Sequence, residues 1–334
     1  MILRKMTAVA KVLLARVMMT KRGIAFLLLA ATCCLPSPSL AQWYGSVDYL
    51  PVFRSDSSDA VFARNQTEVI ANNVVTDVLV GSTTIMSAND IDGDFASAGR
   101  VTAGMRSEVF GLEGSYLMTD TWSFAERAHD AGEMIASPFG EIGSSVDPAW
   151  DNNFDVTVCF ASELESAELH LTQAVDAGPI GTATLLYGVR FMSIEEQFRY
   201  ISENGTTTND LSTTLDNMLI GPQFGLLTEC QAPGGFFNLR LKGGLLLNSI
   251  DEARFNNGVP GEASDDKASL LGEFNIEYAF VPVPNLAVRV GYQLTALSDV
   301  GLATENTFTT PILGRVNTGS VFYQAPYTGV VLAF

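Results

Sequence analysis

Polar and apolar side chains alternate along residues 267–294 almost without a slip. Phe274, Ile276, Tyr278 and Phe280 share one side of an extended strand, and Glu273, Asn275 and Glu277 share the other. After Val281-Pro282-Val283-Pro284-Asn285 the pattern resumes, with Leu286, Val288, Val290, Tyr292 and Leu294 opposite Arg289, Gly291 and Gln293. Two strands of period two around a Pro/Asn turn predict an antiparallel hairpin. The same period returns at 43–54, 98–106, 108–118, 154–160, 167–172, 182–200, 217–226, 237–247 and 319–334, and less regularly at 74–86, giving twelve strands with the hairpin.

The pattern falters in a few places. Near Ser193 the alternation shows a local irregularity, and Pro222 inside its strand calls for a bulge. Residues 119–152 hold Trp122, Phe124, Phe139 and Trp150 among acids and glycines, and 122–135 would tolerate a short helix. So long a connection is usually functional, and here it predicts a plug in the lumen or a periplasmic insertion. Residues 87–96 carry Asp90, Asp92, Gly93 and Asp94 in no EF-hand register, so an acidic turn is expected there.

One hairpin cannot separate a soluble sandwich from a membrane barrel, because each has one apolar face. The whole chain separates them. If the mature chain starts on the periplasmic side, the turns at 176–180, 230–234 and 282–285 fall there and are short, while 55–73, 202–212, 249–266 and 298–318 face outward and are long. Charge also keeps to one face of the strands. Arg100, Arg106, Glu113, Asp155, Glu168, Arg190, Arg240, Lys242, Glu273, Glu277 and Arg289 share the non-lipid face, and the opposite face is almost uncharged. A midplane Arg or Lys facing lipid costs roughly 2–4 kcal/mol. Val330, Leu332 and Phe334 alternate into a terminal aromatic residue, resembling the signal read by the barrel-assembly machinery. The expected fold is therefore all-β, an antiparallel up-and-down transmembrane β-barrel of about twelve strands over 42–334, with a secreted β-sandwich as the lesser reading.

The amino terminus agrees. Arg4, Lys5, Lys11, Arg16, Lys21 and Arg22 precede an apolar run at 24–35, and Ser39 and Ala41 fit a signal peptide over 1–41 cleaved after Ala41. Met19 would begin a signal of ordinary length, so either Met1 or Met19 can be the start. Removing those six cations leaves 13 basic residues against 37 acidic ones, a net charge of −24. Such a chain repels nucleic acid, and its expected partners are outer-membrane lipid and small solutes.

Chemistry is sparse. Cys159 and Cys230 remain after the signal; their places, Cys159 high on the lumen face and Cys230 at the periplasmic end, predict no disulfide between them. Of the two histidines, His129 and His170, the second points inward between Glu168 and Thr172, and no G-x-S-x-G motif accompanies it. No nucleotide loop or metal-ligand spacing occurs, so neither enzyme activity, cofactor nor metal is expected. The lumen charges either pair with one another across strands or set a transverse field that selects solutes. Inward Leu186, Leu219 and Phe236 narrow the space and favour pairing.

Several segments resemble the beta-barrel porin family 7 described from planctomycetes. They are Ala98-Gly99-Arg100-Val101-Thr102-Ala103-Gly104 with Phe110-Gly111-Leu112-Glu113-Gly114-Ser115-Tyr116, and Leu186-Tyr187-Gly188-Val189-Arg190-Phe191 with Glu195-Glu196. Asn217-Met218-Leu219-Ile220-Gly221-Pro222-Gln223-Phe224-Gly225, Leu241-Lys242-Gly243-Gly244-Leu245 and Val288-Arg289-Val290-Gly291-Tyr292 are similar too. The resemblance implies an outer-membrane barrel with porin-like function and brings no assigned site. Two functions follow as expectations: a narrow channel for small solutes, or a closed structural or surface-binding barrel with acidic external loops.

Overall fold

The computed structural model describes residues 42–56, 61–66, 68–71, 74–77, 84–87, 95–129, 134–136, 153–176, 182–203, 205–307 and 316–334. The signal peptide with Ala41 and the acidic turn at Asp90–Asp94 lie outside them. In chain order the strands are β1 (Gln42–Asp56), β2 (Val61–Gln66), β3 (Glu68–Ala71), β4 (Val74–Asp77), β5 (Thr84–Ser87), β6 (Phe95–Arg106), β7 (Phe110–Thr119), β8 (Trp122–His129), β9 (Met134–Ala136), β10 (Asp155–Asp176), β11 (Thr182–Glu203), β12 (Thr208–Ala232), β13 (Gly235–Asn256), β14 (Val259–Val283), β15 (Leu286–Gly301) and β16 (Thr318–Ala333), with a short helix α1 (Ala303–Thr307) before the last.

Eleven of these strands form one antiparallel sheet, ordered β11-β12-β13-β14-β15-β16-β1-β6-β7-β10-β8 and closed by the pairing of β10 with β11. The result is an up-and-down β-barrel. β7 pairs with residues 165–173 of β10 and β8 with 155–162, so the two lie end to end along one neighbour. The start of β1 and the carboxyl terminus lie at the same end, here the terminal end, where Phe334 N–H donates to Trp43 O. This terminal end also carries the connections 107–109, 233–234 and 284–285; the opposite end, here the loop end, carries the Asn257-Gly258 connection.

The count of about twelve was assembled differently. Residues 154–160 and 167–172 are not two strands but one, β10. Residues 74–77 and 84–87 are not barrel strands: β3 pairs with β4, and β2 pairs with β5 and β9, in small sheets separate from the barrel sheet. Residues 122–129, where a helix would have been tolerated, are wall strand β8. Merging the two halves of β10 puts His129 and Asp155, the facing ends of β8 and β10, at the loop end, opposite Gln42 and Phe334. The supposed outer loops 202–212 and 249–266 are mostly strand, since β11 and β12 are joined by 204–207 and β13 and β14 by Asn257 and Gly258 alone. Both turn residues have positive φ, 47° and 88°, as a two-residue type I′ hairpin demands.

Polarity reverses along the barrel axis. Near the terminal end the exterior is apolar: Val47, Leu171, Val189, Phe224, Leu245 and Val290 are exposed. The outward positions of 43–53, 95–105, 110–118, 167–175, 183–191, 218–228, 237–247, 268–280, 286–296 and 322–332 include no charged residue, in a chain that is 17% charged. Toward the loop end the exterior becomes acidic. Glu163 opposes Glu195, Glu195 opposes Asp216 and Asp216 opposes Asp251, a row across four strands. Inside, the order is inverted. Val156, Val158, Phe160, Phe198, Tyr200, Leu211 and Leu215 are buried in an apolar core at the loop end, together with Ala63, Met86 and Ile135.

Between the polar and apolar parts of the lumen lies a continuous apolar layer. Leu50, Ala98, Leu117, Leu164, Met192, Leu219, Leu246, Leu271, Leu297 and Val321, from β1, β6, β7, β10, β11, β12, β13, β14, β15 and β16 respectively, belong to one buried cluster. Ten strands of the ring therefore contribute to this one buried layer.

Candidate functional site

The lumen below that layer holds a charge network. Its centre is a square of four charges from four strands. Lys242 Nζ lies 2.7 Å from Glu168 Oε2 and 2.6 Å from Glu273 Oε1. Arg190 Nη1 lies 2.6 Å from Glu273 Oε2 and 3.5 Å from Glu168 Oε1. All four are buried, so each carboxylate needs both cations to offset its desolvation. Gln223 Nε2 donates to Glu168 Oε2 at 3.0 Å and lies 2.7 Å from His170 Nε2. His170 is thus one member of a polar network with Gln223 and Glu168.

Two smaller groups flank the square. Arg240 Nη1 donates to Glu113 Oε1 at 3.0 Å, and Tyr44 OH donates to Glu113 Oε2 at 2.6 Å. Asp48 receives Arg289 Nε at 2.7 Å and Arg100 Nε at 2.8 Å, so two guanidiniums share one carboxylate. Arg289 Nη1 also approaches Glu277 Oε2 at 3.4 Å, and Tyr327 OH donates to the same oxygen at 2.9 Å. Tyr327 lies opposite Gly291, and its ring occupies the space that a Cβ there would fill; Tyr44 stands in the same relation to Gly104. The glycines let inward tyrosines lie against the wall and reach the carboxylates.

Ten of the eleven charges that share a face by alternation line this part of the lumen or its mouth, where Arg106 is exposed. Asp155 does not. It sits on the outer face at the loop end, where Arg127 Nε lies 3.0 Å and His129 Nδ1 2.9 Å from its Oδ1. Cys159, on the same outer face of β10, also does not face the lumen; it and Cys230 are free. In this half of the barrel apolar side chains go inward, which reverses the assignment. Asp48 went unchosen although alternation puts it on the polar face of β1, opposite Val47 and Tyr49. Arg54 and Glu196, a buried pair across the lumen of the loop half, were missed as well.

That pair anchors a segment of chain inside the barrel. Glu196 Oε2 accepts the N–H of Ala303 at 2.8 Å, Asn217 Oδ1 accepts the N–H of Gly301 at 2.8 Å, and Arg254 donates to the Asn306 carbonyl. Leu302 and Ala303 are fully buried, so part of 298–318, expected as an external loop, fills the lumen. Residues 122–129 of the stretch expected to be a plug are wall instead.

No protein-family model matches the chain, and no curated protein matches it. Among solved structures it is similar to the outer membrane protease OmpT from Escherichia coli, at 7% identity and a TM-score of 0.47, over 90% of this chain and 99% of that one. It is also similar to the translocator domain of the autotransporter NalP from Neisseria meningitidis, at 12% identity and a TM-score of 0.31, over 99% and 98% of the two chains. The Pseudomonas putida toluene transporter TodX matches at 9% identity and a TM-score of 0.30, over 89% and 90%. Likenesses this distant say nothing of activity, and the barrel is read from its own strand pairings.

Proposed function

We propose that this protein is an outer-membrane β-barrel with a closed lumen, a structural or surface-binding protein rather than a channel. The uncharged exterior around the terminal half supports the membrane reading, because that band is where a charged side chain would meet hydrocarbon. The terminal end then faces the periplasm, the acidic loop half projects outside the cell, and Phe334 closes the strand offered to the assembly machinery. The single observation that carries the closed reading is the apolar layer to which ten strands of the ring contribute. A solute crossing it would shed its water with nothing polar in exchange. A porin-like channel is what the sequence resemblance implies, and it requires that this layer open.

The test is a planar-bilayer recording on refolded full-length protein, run beside outer-membrane fractionation of the producing cell. The expected result is recovery in the outer membrane with no steady conductance. Reproducible open-state current from the folded barrel would overturn the closed reading, and recovery in a soluble fraction would overturn the membrane reading.

A further inference from the structure

Below the apolar layer the lumen contains a cavity of about 310 Å³, whose lining runs down to Gln42, Arg106 and Ala333 at the terminal end. That is the lower bound of small-molecule pockets, roughly 300 Å³. The apolar layer stands above it, and its lining reaches the terminal end below. The network's cations and carboxylates pair closely, yet the surface they present is unequal. The Arg240 side chain is 27% exposed against 9% for its partner Glu113. Arg100 and Arg289 are 14% and 13% exposed against 0% for the Asp48 they share. In these two flanking groups the guanidiniums stand in front of their carboxylates, whereas in the central square Glu168, at 9%, is more exposed than Arg190 and Lys242, at 4% each.

Free donors remain on that surface. Arg240 commits only Nη1 to Glu113 among the described residues, and Arg106 at the mouth has neither hydrogen bond nor ion pair among them. An acceptor is also left over, since Asn238 Oδ1 on the same lining is buried without a partner. Glu229, on the same lining, is a carboxylate without an ion pair among the described residues.

We propose that this cavity binds a small oxyanion bearing a hydroxyl, a hydroxycarboxylate or hydrogen phosphate, entered from the terminal end. The oxyanion takes the spare N–H donors of Arg106 and Arg240 in charge-assisted bonds. Its hydroxyl donates to Asn238 Oδ1, which satisfies the orphaned acceptor. Glu229 opposes it. This binding reading holds whether or not the barrel ever conducts.

The experiment is calorimetric titration of the refolded full chain, in uncharged detergent, with glycolate, acetate and inorganic phosphate. Glycolate and phosphate are expected to bind, with acetate about tenfold weaker than glycolate. Arg106→Ala, which breaks no pair, should weaken glycolate about tenfold, and Glu229→Gln should tighten it. Absence of glycolate and phosphate binding to a folded barrel would overturn the proposal, as would Arg106→Ala binding with wild-type affinity. Acetate binding as tightly as glycolate would overturn the assignment of the hydroxyl to Asn238.

Discussion

At the scale of single residues, the same ion pair means different things at the two ends of the barrel. Arg289 is largely buried and serves both Asp48 and Glu277. Arg289→Leu would leave Glu277 short of a cation and Asp48 dependent on Arg100, and should cost about 3–5 kcal/mol, the range for breaking a buried pair. Its neighbour Val288 faces outward, so Val288→Leu should change little. Heat-modifiable gel mobility compares the two, and greater damage from the second would invert the assignment of faces. Arg199 and Asp210, close to the loop-end connection of β11 and β12, form a two-pronged pair at 2.9 and 2.6 Å, with side chains 53% and 33% exposed. Hydrogen bonds from Arg199 hold the Asp210 carboxyl below its ordinary value. A depressed carboxylate contributes stability above its unfolded value, near pH 3.9, and loses it as pH falls through the depressed one. Arg199→Gln should therefore cost about 0.2–1 kcal/mol at neutral pH. Denaturation curves of the variant and the wild type should converge at strongly acidic pH; a gap that persists there would mean the loss is one of packing.

At the scale of elements, what the sequence disclosed depended on which half of a strand was in view. β10 keeps one parity throughout, with Val156, Val158, Phe160, Glu168 and His170 all pointing inward. Its apolar residues nevertheless change from even positions (156, 158, 160) to odd ones (167, 169, 171), because the apolar surroundings pass from the lumen to the exterior. A reading that equates apolar with lipid-facing must insert a turn at that crossing. The same error made an irregularity of Ser193, where β11 runs on without one. The terminal half was legible because the band outside it and the network inside it obey a single rule. The Asn257-Gly258 turn was missed although it is the dipeptide that favours a two-residue hairpin, because the polar strands flanking it made all of 249–266 resemble a loop. Gly258 has φ 88° and open space where a Cβ would stand. Gly258→Ala should thus cost about 1–2 kcal/mol from backbone alone, seen as a lowered unfolding midpoint with the barrel otherwise intact. A neutral outcome would mean that the two strands close by another turn.

At the scale of the whole molecule, the barrel joins two arrangements in one wall: a terminal half, polar within and apolar without, which is the half proposed to sit in the membrane, and a loop half with an apolar core and an acidic exterior. The apolar layer marks the junction. Leu219 and Leu246 are both fully buried in it, on adjacent strands. Replacing both by Ala should remove contact area at a cost of about 2–5 kcal/mol each, and should thin the layer where it meets the polar lumen. Planar bilayers should then show small, reproducible currents that the wild type lacks. The acidic loop half would enrich cations at that mouth, while the paired charges of the lumen add little bias, so selectivity should be modest. It should fade as the Debye length shrinks to about 3 Å in 1 M salt. Wild-type protein conducting as well as the double variant would show that this layer does not close the barrel; a folded double variant that stays silent would place the closure on the inserted segment around α1, which Glu196 and Asn217 hold in the lumen.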